Sequence, residues 1–199
     1  MKLTGSFDYE RLYDRIAGLY GLTAPLWWGY VARALPWVPA EGPVLEIGPG
    51  PGYLLAALAR RGPACGLDLS SRMLRQAHRR LARAGLQAPL TQGEATRLPF
   101  ANGSFQAVVL TFTFSAVPNG PWALQEMRRI LRPGGRVVIV DAGIPENRNR
   151  MALFLARQWE RFGDRMRDEA ALMRDVGLAV VHREEFGPWR CMRVVVGER

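Results

Sequence analysis

VLEIGPGPGYLL, residues 44–55, is the stretch on which the fold turns. Val44, Leu45 and Ile47 continue a short apolar run from Pro43, which reads as a buried strand closed by glycine. Glu46 stands near its end. Glycines follow at 48, 50 and 52, and the pattern from Tyr53 to Arg61 is helical. Glycine lets the chain turn sharply and lets a ligand lie against the backbone with no Cβ in the way. The helix start beyond it offers free N–H groups and the positive end of a dipole. Two phosphate loops fail to match. A dinucleotide loop, Gly-x-Gly-x-x-Gly, would need glycine where Tyr53 stands, and the Gly-Lys-Ser/Thr of a Walker loop is absent.

Working outward, strand-like runs recur at Ala64–Leu69, Gln87–Gln92, Ala107–Thr113 and Arg136–Asp141, with helical patterns between them. In Ser71–Ala84, Met73, Leu74, Ala77, Leu81 and Ala84 share one face, with Arg72, Arg75, Arg79 and Arg80 opposite and Ser70 or Ser71 as cap. In Trp122–Leu131 the inner stripe is Leu124, Met127, Ile130 and Leu131, and Pro133-Gly134-Gly135 ends it. One long helical stretch, Met151–Val176, precedes two last strands, Ala179–Arg183 and Cys191–Val196, joined through Phe186-Gly187-Pro188. Strand and helix alternating at this spacing predict an α/β fold. It is a doubly wound, mostly parallel seven-stranded sheet with a C-terminal antiparallel hairpin strand and helices on both faces.

A chain of 199 residues buries roughly 70% of its unfolded surface, so the core needs no disulfide or metal. Hydrophobic residues at 48% and charged ones at 23% fit a soluble globular protein. No apolar run approaches the ~18 residues of a membrane helix. The start, Met1 to Ser6, lacks the pattern of a signal peptide, so the expected location is cytoplasmic. Cys65 and Cys191 stand apart with only His78 and His182 as further ligands, so they read as small buried hydrophobes and no metal site is expected. The net charge of +9 invites a nucleic-acid or anionic-membrane partner. However, Lys2 is the only lysine, and the arginines are spread along the chain (Arg60-Arg61, Arg79-Arg80, Arg128-Arg129, Arg148, Arg150, Arg165, Arg167). That spread reads as a solvated basic surface and argues against a nucleic-acid partner.

Glu46-x-Gly48-x-Gly50-x-Gly52 resembles the first motif of the Rossmann-like (class I) S-adenosylmethionine-dependent methyltransferases. Further blocks follow in that family's order: Asp68, Gly93-Glu94-Ala95, Leu98-Pro99-Phe100, Gly103-Ser104-Phe105, and Leu131 through Gly135. The resemblance is close over 44–141 and reaches in outline across most of the chain. It is strongest to the quinone-biosynthesis and phospholipid-type small-molecule branch, through Tyr13-Asp14-Arg15-Ile16-Ala17-x-x-Tyr20 and TFTFSAVPN at 111–119. The chain departs from that branch at Gly21, Gln106 and Asn119-Gly120.

The resemblance implies S-adenosylmethionine as cofactor, held by Tyr20, Glu46, Gly48, Pro49, Gly50, Gly52, Asp68, Leu69, Met73, Glu94, Ala95 and Thr111. It assigns Asp68 to the two ribose hydroxyls, each bond worth about 1.5–3 kcal/mol. Glu94 falls to the exocyclic amine of adenine and Glu46 to the cofactor's amino end, with Tyr13 and Tyr20 in a lid. The chain then divides, as one domain over 1–199, into a helical lid or substrate region (1–40), a cofactor-binding core (43–141) and a C-terminal helix and hairpin (142–199).

Methyl transfer from a sulfonium is an in-line displacement that asks above all for alignment, which supplies ~7–11 kcal/mol. No residue reads as catalytic. His78 falls on the arginine face of its helix and His182 late in a strand pattern. No Asn/Asp-Pro-Pro-Tyr/Phe motif or Pro-Cys nucleophile is present, and Lys2 alone does not build a lysine-dependent ribose-methylation site. The segment Leu22–Val38 holds Trp27, Trp28, Tyr30 and Trp37 with Arg33 as its one charge. It reads as core packing, or else as an apolar substrate mouth or a weak membrane-surface contact. The expected function is methylation of a small, apolar or amphipathic molecule. An RNA- or protein-directed methyltransferase and a non-catalytic cofactor-binding partner subunit are the alternatives.

Overall fold

The strands expected from apolar runs are present in the computed structural model, which describes residues 24–161 and 163–199. They are β1 (Val44–Ile47), β2 (Ala64–Asp68), β3 (Leu90–Gln92), β4 (Phe105–Thr111), β5 (Leu131–Ala142), β6 (Ala179–Phe186) and β7 (Met192–Glu198). They hydrogen-bond into one sheet in the order β3-β2-β1-β4-β5-β7-β6. β1 to β5 run parallel, and β7 lies antiparallel between β5 and β6. Short helical turns at Ala24–Trp27, α1 (Trp28–Val31) and Ala32–Trp37 precede the sheet. The remaining helices are α2 (Tyr53–Arg61), α3 (Ser71–Arg83), α4 (Gly120–Ile130), α5 (Arg150–Arg161) and α6 (Glu169–Asp175). The doubly wound α/β sheet with its C-terminal hairpin is as expected. Among the described residues no helix is long and apolar enough to cross a membrane.

The two-residue period of a strand sends alternate side chains to opposite faces, and β4 is apolar on both. Ala107 and Val109 enter one core with Leu54, Leu55 and Leu58 of α2, while Val108 and Leu110 enter the other with Leu124 and Met127 of α4. Each of these valine, leucine and methionine side chains, once buried, contributes about 1.5–3 kcal/mol. In α3 only Met73, Ala77 and Leu81 are buried. Ala84, expected on the inner face, is the exposed cap residue beyond the helix, where Gly85 turns left-handed.

The single helix expected over Met151–Val176 is two helices. Between them the chain drops onto the loop after β4. The Arg165 N–H donates to the Ser115 carbonyl at 2.8 Å, and the Arg167 guanidinium donates to the carbonyls of Phe114 (3.0 Å), Val117 (2.6 Å) and Pro118 (3.1 Å). A continuous helix would forfeit these bonds. Gly163 (φ 101°) turns out of the first helix, and the Asp168 side chain caps the second by accepting from the Ala171 N–H at 3.2 Å. The same contacts account for Asn119-Gly120. Asn119 caps α4 by accepting from the Trp122 N–H at 3.1 Å, and a Cβ on Gly120 would sit 2.7 Å from Arg167 and 2.9 Å from Phe114.

β1 lies between β2 and β4, so the strand order reverses there. In open α/β sheets ligands bind outside the carboxyl ends of the strands at such a switch point. The glycine loop begins at that place.

Candidate active site

Gly48 and Gly50 take left-handed φ values of 71° and 51° between β1 and α2. A Cβ on Gly48 would fall 2.3 Å from the Thr113 hydroxyl oxygen, so the loops after β1 and β4 touch only because position 48 is glycine. Asp68, at the end of β2, braces this loop: its carboxylate accepts from the Gly50 N–H at 3.1 Å and from the Ser70 N–H at 2.9 Å. Pro49 is buried beside Gly66 of β2. Gly52 is a packing residue, since a Cβ there would meet the Ala77 backbone of α3 at 2.9 Å.

Glu46 is the unusual residue. It is 1% exposed, and its Oε2 is buried with no hydrogen-bond partner among the described residues. Burial first and the charge of Asp68 second push its carboxyl up to about 8. An orphaned carboxylate oxygen next to a second carboxylate is an environment that a cation relieves.

The other expected residues lie along the same edge of the sheet. Leu69 is half-buried, and its carbonyl accepts from the Gln92 side chain at 3.0 Å. Met73 is buried in the first turn of α3, its N–H capped by the Ser70 hydroxyl at 3.1 Å. Glu94 is exposed after β3 and accepts from the Thr96 hydroxyl at 3.3 Å, with Ala95 half-buried beside it. Thr111 ends β4 and is buried. Tyr20, like Tyr13, lies outside the described residues. Neither histidine reaches this edge. His78 is exposed on α3, and His182 sits within β6, paired with Val196 and stacked on Trp37 at 3.8 Å. Cys191 is buried, whereas Cys65 is half-buried with burial pushing its thiol up to about 11.

Two features go beyond the expected cofactor residues. The first is an aromatic wall beyond β4. Phe112 follows Thr111 with a left-handed φ of 50°, a conformation that costs about 1–3 kcal/mol and collects at functional sites. Trp27 meets Phe112 edge-on at 5.7 Å and Tyr30 at 5.7 Å, and Tyr30 meets Phe186 at 5.9 Å. The tryptophan-rich segment carried part of this signal, but nothing in the sequence marks the backbone of Phe112. The second is a buried polar network behind the wall. Asp141, next to last in β5, accepts from the Ser115 N–H (2.8 Å) and hydroxyl (3.0 Å), and is pushed up to about 6 by burial. Nearby, Glu169 pairs with Arg193 at 3.0 Å, both inaccessible to solvent, and burial pushes Glu169 up to about 7 against the pull of that arginine.

This arrangement coincides with a known domain. The family described as "Methyltransferase domain" matches residues 44–135, from the first residue of β1 to Gly135 within β5. Residues 44–135 thus match a methyltransferase domain. The "Ubiquinone/menaquinone biosynthesis C-methyltransferase UbiE" of Desulfotalea psychrophila is 32% identical over 68% of this chain and 58% of its own length. The "Demethylmenaquinone methyltransferase" of Thermus thermophilus is 33% identical over 65% of this chain and 60% of its own. The chain thus spans about three fifths of the length of these relatives. The methyltransferase solved with the Trm112 activator of Haloferax volcanii superposes with a TM-score of 0.79 over 94% of this chain and 96% of that one, at 22% identity, which shows the shared fold.

Fold and domain together imply S-adenosylmethionine as cofactor, and the residues of this methyltransferase domain fit it. The unpartnered oxygen of Glu46 suits an ammonium group, and half-buried Gly48 and Gly50 bring the loop, without a Cβ, beside the carboxylate of Asp68.

Proposed function

We propose that this chain transfers the methyl group of S-adenosylmethionine to a small amphipathic acceptor with an aromatic ring, of the quinol kind. The observation that carries the reading is Glu46, a buried carboxylate held beside Asp68 with an oxygen unpartnered, which is costly unless a cationic ligand completes it. Bound there, S-adenosylmethionine supplies a methyl group activated by its sulfonium.

The chain's own residues bind and align. Glu46 accepts from the ammonium of the amino-acid end, and Gly48 and Gly50 let that end lie close. Asp68 accepts from the ribose hydroxyls while bracing the loop. Leu69, Met73, Glu94 and Ala95 flank the adenine, and Tyr20 closes over the methionine end. Thr111, with Pro49 and Gly52, sets the floor. Trp27, Tyr30, Phe112 and Phe186 offer an apolar wall against which a flat ring stacks and from which water is excluded. The quinone relatives' names favour a quinol ring over other acceptors of that shape. The proton that the acceptor loses is assigned to no side chain. We place the reaction in the cytoplasm, with residues 1–40 over the acceptor.

Calorimetric titration with S-adenosylmethionine and its demethylated product tests the cofactor. Micromolar binding should weaken at least about tenfold in Asp68→Ala, or 1.4 kcal/mol. Transfer of labelled methyl to a demethylated naphthoquinol tests the acceptor. Absence of binding to either compound would overturn the cofactor reading, and binding without transfer to any aromatic acceptor would overturn the acceptor reading.

A further inference from the structure

Some of the arginines that look dispersed in the sequence converge in the fold. α2 carries Arg60 and Arg61, and α3 carries Arg72, Arg75, Arg79, Arg80 and Arg83; neither helix contains an Asp or Glu. Their outward faces form an open cavity of about 670 Å³, lined by Arg60, Arg79, Arg80, Arg83, Tyr53 and Trp28 among others, with no acidic side chain among the described residues of its wall. Arg80 has an internal duty: its guanidinium lies over the Tyr53 ring at 3.3 Å and its Nε donates to the Pro51 carbonyl at 2.9 Å. Arg79 and Arg83 have no carboxylate partner among the described residues, and Arg60 makes only a long bond to the Ala56 carbonyl within its own helix. Arg60, Arg79 and Arg83, gathered here with no carboxylate partner among the described residues, repel one another, so this concave face favours an anionic occupant.

Beside the arginines stands exposed apolar surface on one short segment. Leu26 is 79% exposed, Trp27 41% and Trp28 38%, and Trp28 is itself part of the cavity wall. Guanidinium groups next to exposed tryptophan and leucine match the two layers of a lipid surface, phosphate above and acyl chain below. A soluble phosphate compound would use the arginines and leave Leu26 in water.

We propose that the arginine cavity between α2 and α3, together with Leu26 and Trp28, docks this chain on the anionic headgroups of a membrane. The cavity takes a lipid phosphate, and the two apolar side chains enter the headgroup boundary. Trp27, between Leu26 and Trp28, packs on Phe112, so docking brings the aromatic wall to the lipid surface. The inference does not depend on methyl transfer, because it is tested without cofactor.

Co-sedimentation is measured at low salt with vesicles of phosphatidylcholine alone and with phosphatidylglycerol added. The wild type should bind only the anionic vesicles and release at high salt. Each guanidinium near an anionic surface is worth about fivefold in partitioning, so Arg79→Gln/Arg83→Gln should weaken binding roughly 25-fold. Arg79→Lys/Arg83→Lys should retain it, and Leu26→Ser/Trp28→Ser should lose it with unchanged thermal unfolding. Four results would overturn the proposal: no vesicle binding; equal binding to neutral vesicles; anionic-vesicle binding untouched by the arginine or apolar variants; or displacement by glycerol phosphate, which would make a soluble phosphate the ligand. Tight binding of single-stranded RNA that is lost in the arginine variant, with no vesicle binding, would assign the cavity to nucleic acid instead.

Discussion

Replacing Glu46 by Gln removes one ionisable group and keeps its shape. In the folded protein the carboxyl is pushed from 4.5 up to about 8, by burial first and by Asp68 second. Between those two values the folded state holds a proton that the unfolded state has released. Stability therefore falls as pH rises through the window and levels off above the folded value. The gap between the two values corresponds to roughly 5 kcal/mol. Urea unfolding of wild type and Glu46→Gln, measured from about pH 5 to about pH 9, should give a difference that grows toward that size as pH rises. Asp141 and Glu169 also titrate in this range but are common to both proteins, so they cancel in the difference. The cofactor adds a second readout. Near pH 6.5 Glu46 is almost wholly protonated, and an ammonium beside it favours the ionised form, so binding should release about one proton. Calorimetry in two buffers of different ionisation enthalpy counts that proton, and Glu46→Gln should release none. A stability difference that stays flat to within about 1 kcal/mol across the range would refute the reasoning about burial.

Three further outcomes follow from the site and its supports. Gly48→Ala places a Cβ against Thr113 in a left-handed backbone, so S-adenosylmethionine affinity in a calorimetric titration should fall at least about tenfold while the fold survives. Arg193→Met strands Glu169, and urea unfolding near pH 8 should show a loss of about 3–5 kcal/mol. That loss should shrink toward pH 5, where Glu169 is protonated with or without its partner. Phe112→Ala removes part of the aromatic wall, and steady-state kinetics should show a raised KM for an aromatic acceptor with an unchanged dissociation constant for the cofactor.

The sheet was legible because buried parallel strands appear as short unbroken apolar runs, and β1, β2 and β5 fall within a few residues of where those runs lie. The glycine loop and Asp68 were legible for a different reason: they are a local pattern, and the fold keeps local patterns together. What stayed hidden depends on residues distant in sequence. Residues 163–168 leave helical geometry to reach carbonyls of the loop after β4, some 50 positions earlier, and their own spacing does not announce that partner. Arg60 and Arg79 share a cavity only because α2 and α3 pack side by side through Gly52 and Ala77, so a reading by helix face finds both outward and cannot join them. Phe112 gives no local sign either, since a left-handed phenylalanine is imposed by what surrounds it.

The electrostatics of the two faces explain why one small chain would keep so uneven a charge distribution. α2 and α3 carry all their charge as arginine on the outside, while the loop between β1 and α2 is held against two carboxylates, one of them starved of solvent. A ligand with positive charge at its amino end relieves the inner pair and does not compete for the outer groove. An anionic partner finds the reverse. Filling the inner site also acts on the fold, because a ligand that binds only the native state adds about 2.7 kcal/mol of stability at a hundred times its dissociation constant. In the proposed binding mode part of that gain has a structural source: the cation would let Glu46 ionise in place, removing the proton that the folded chain otherwise holds at neutral pH.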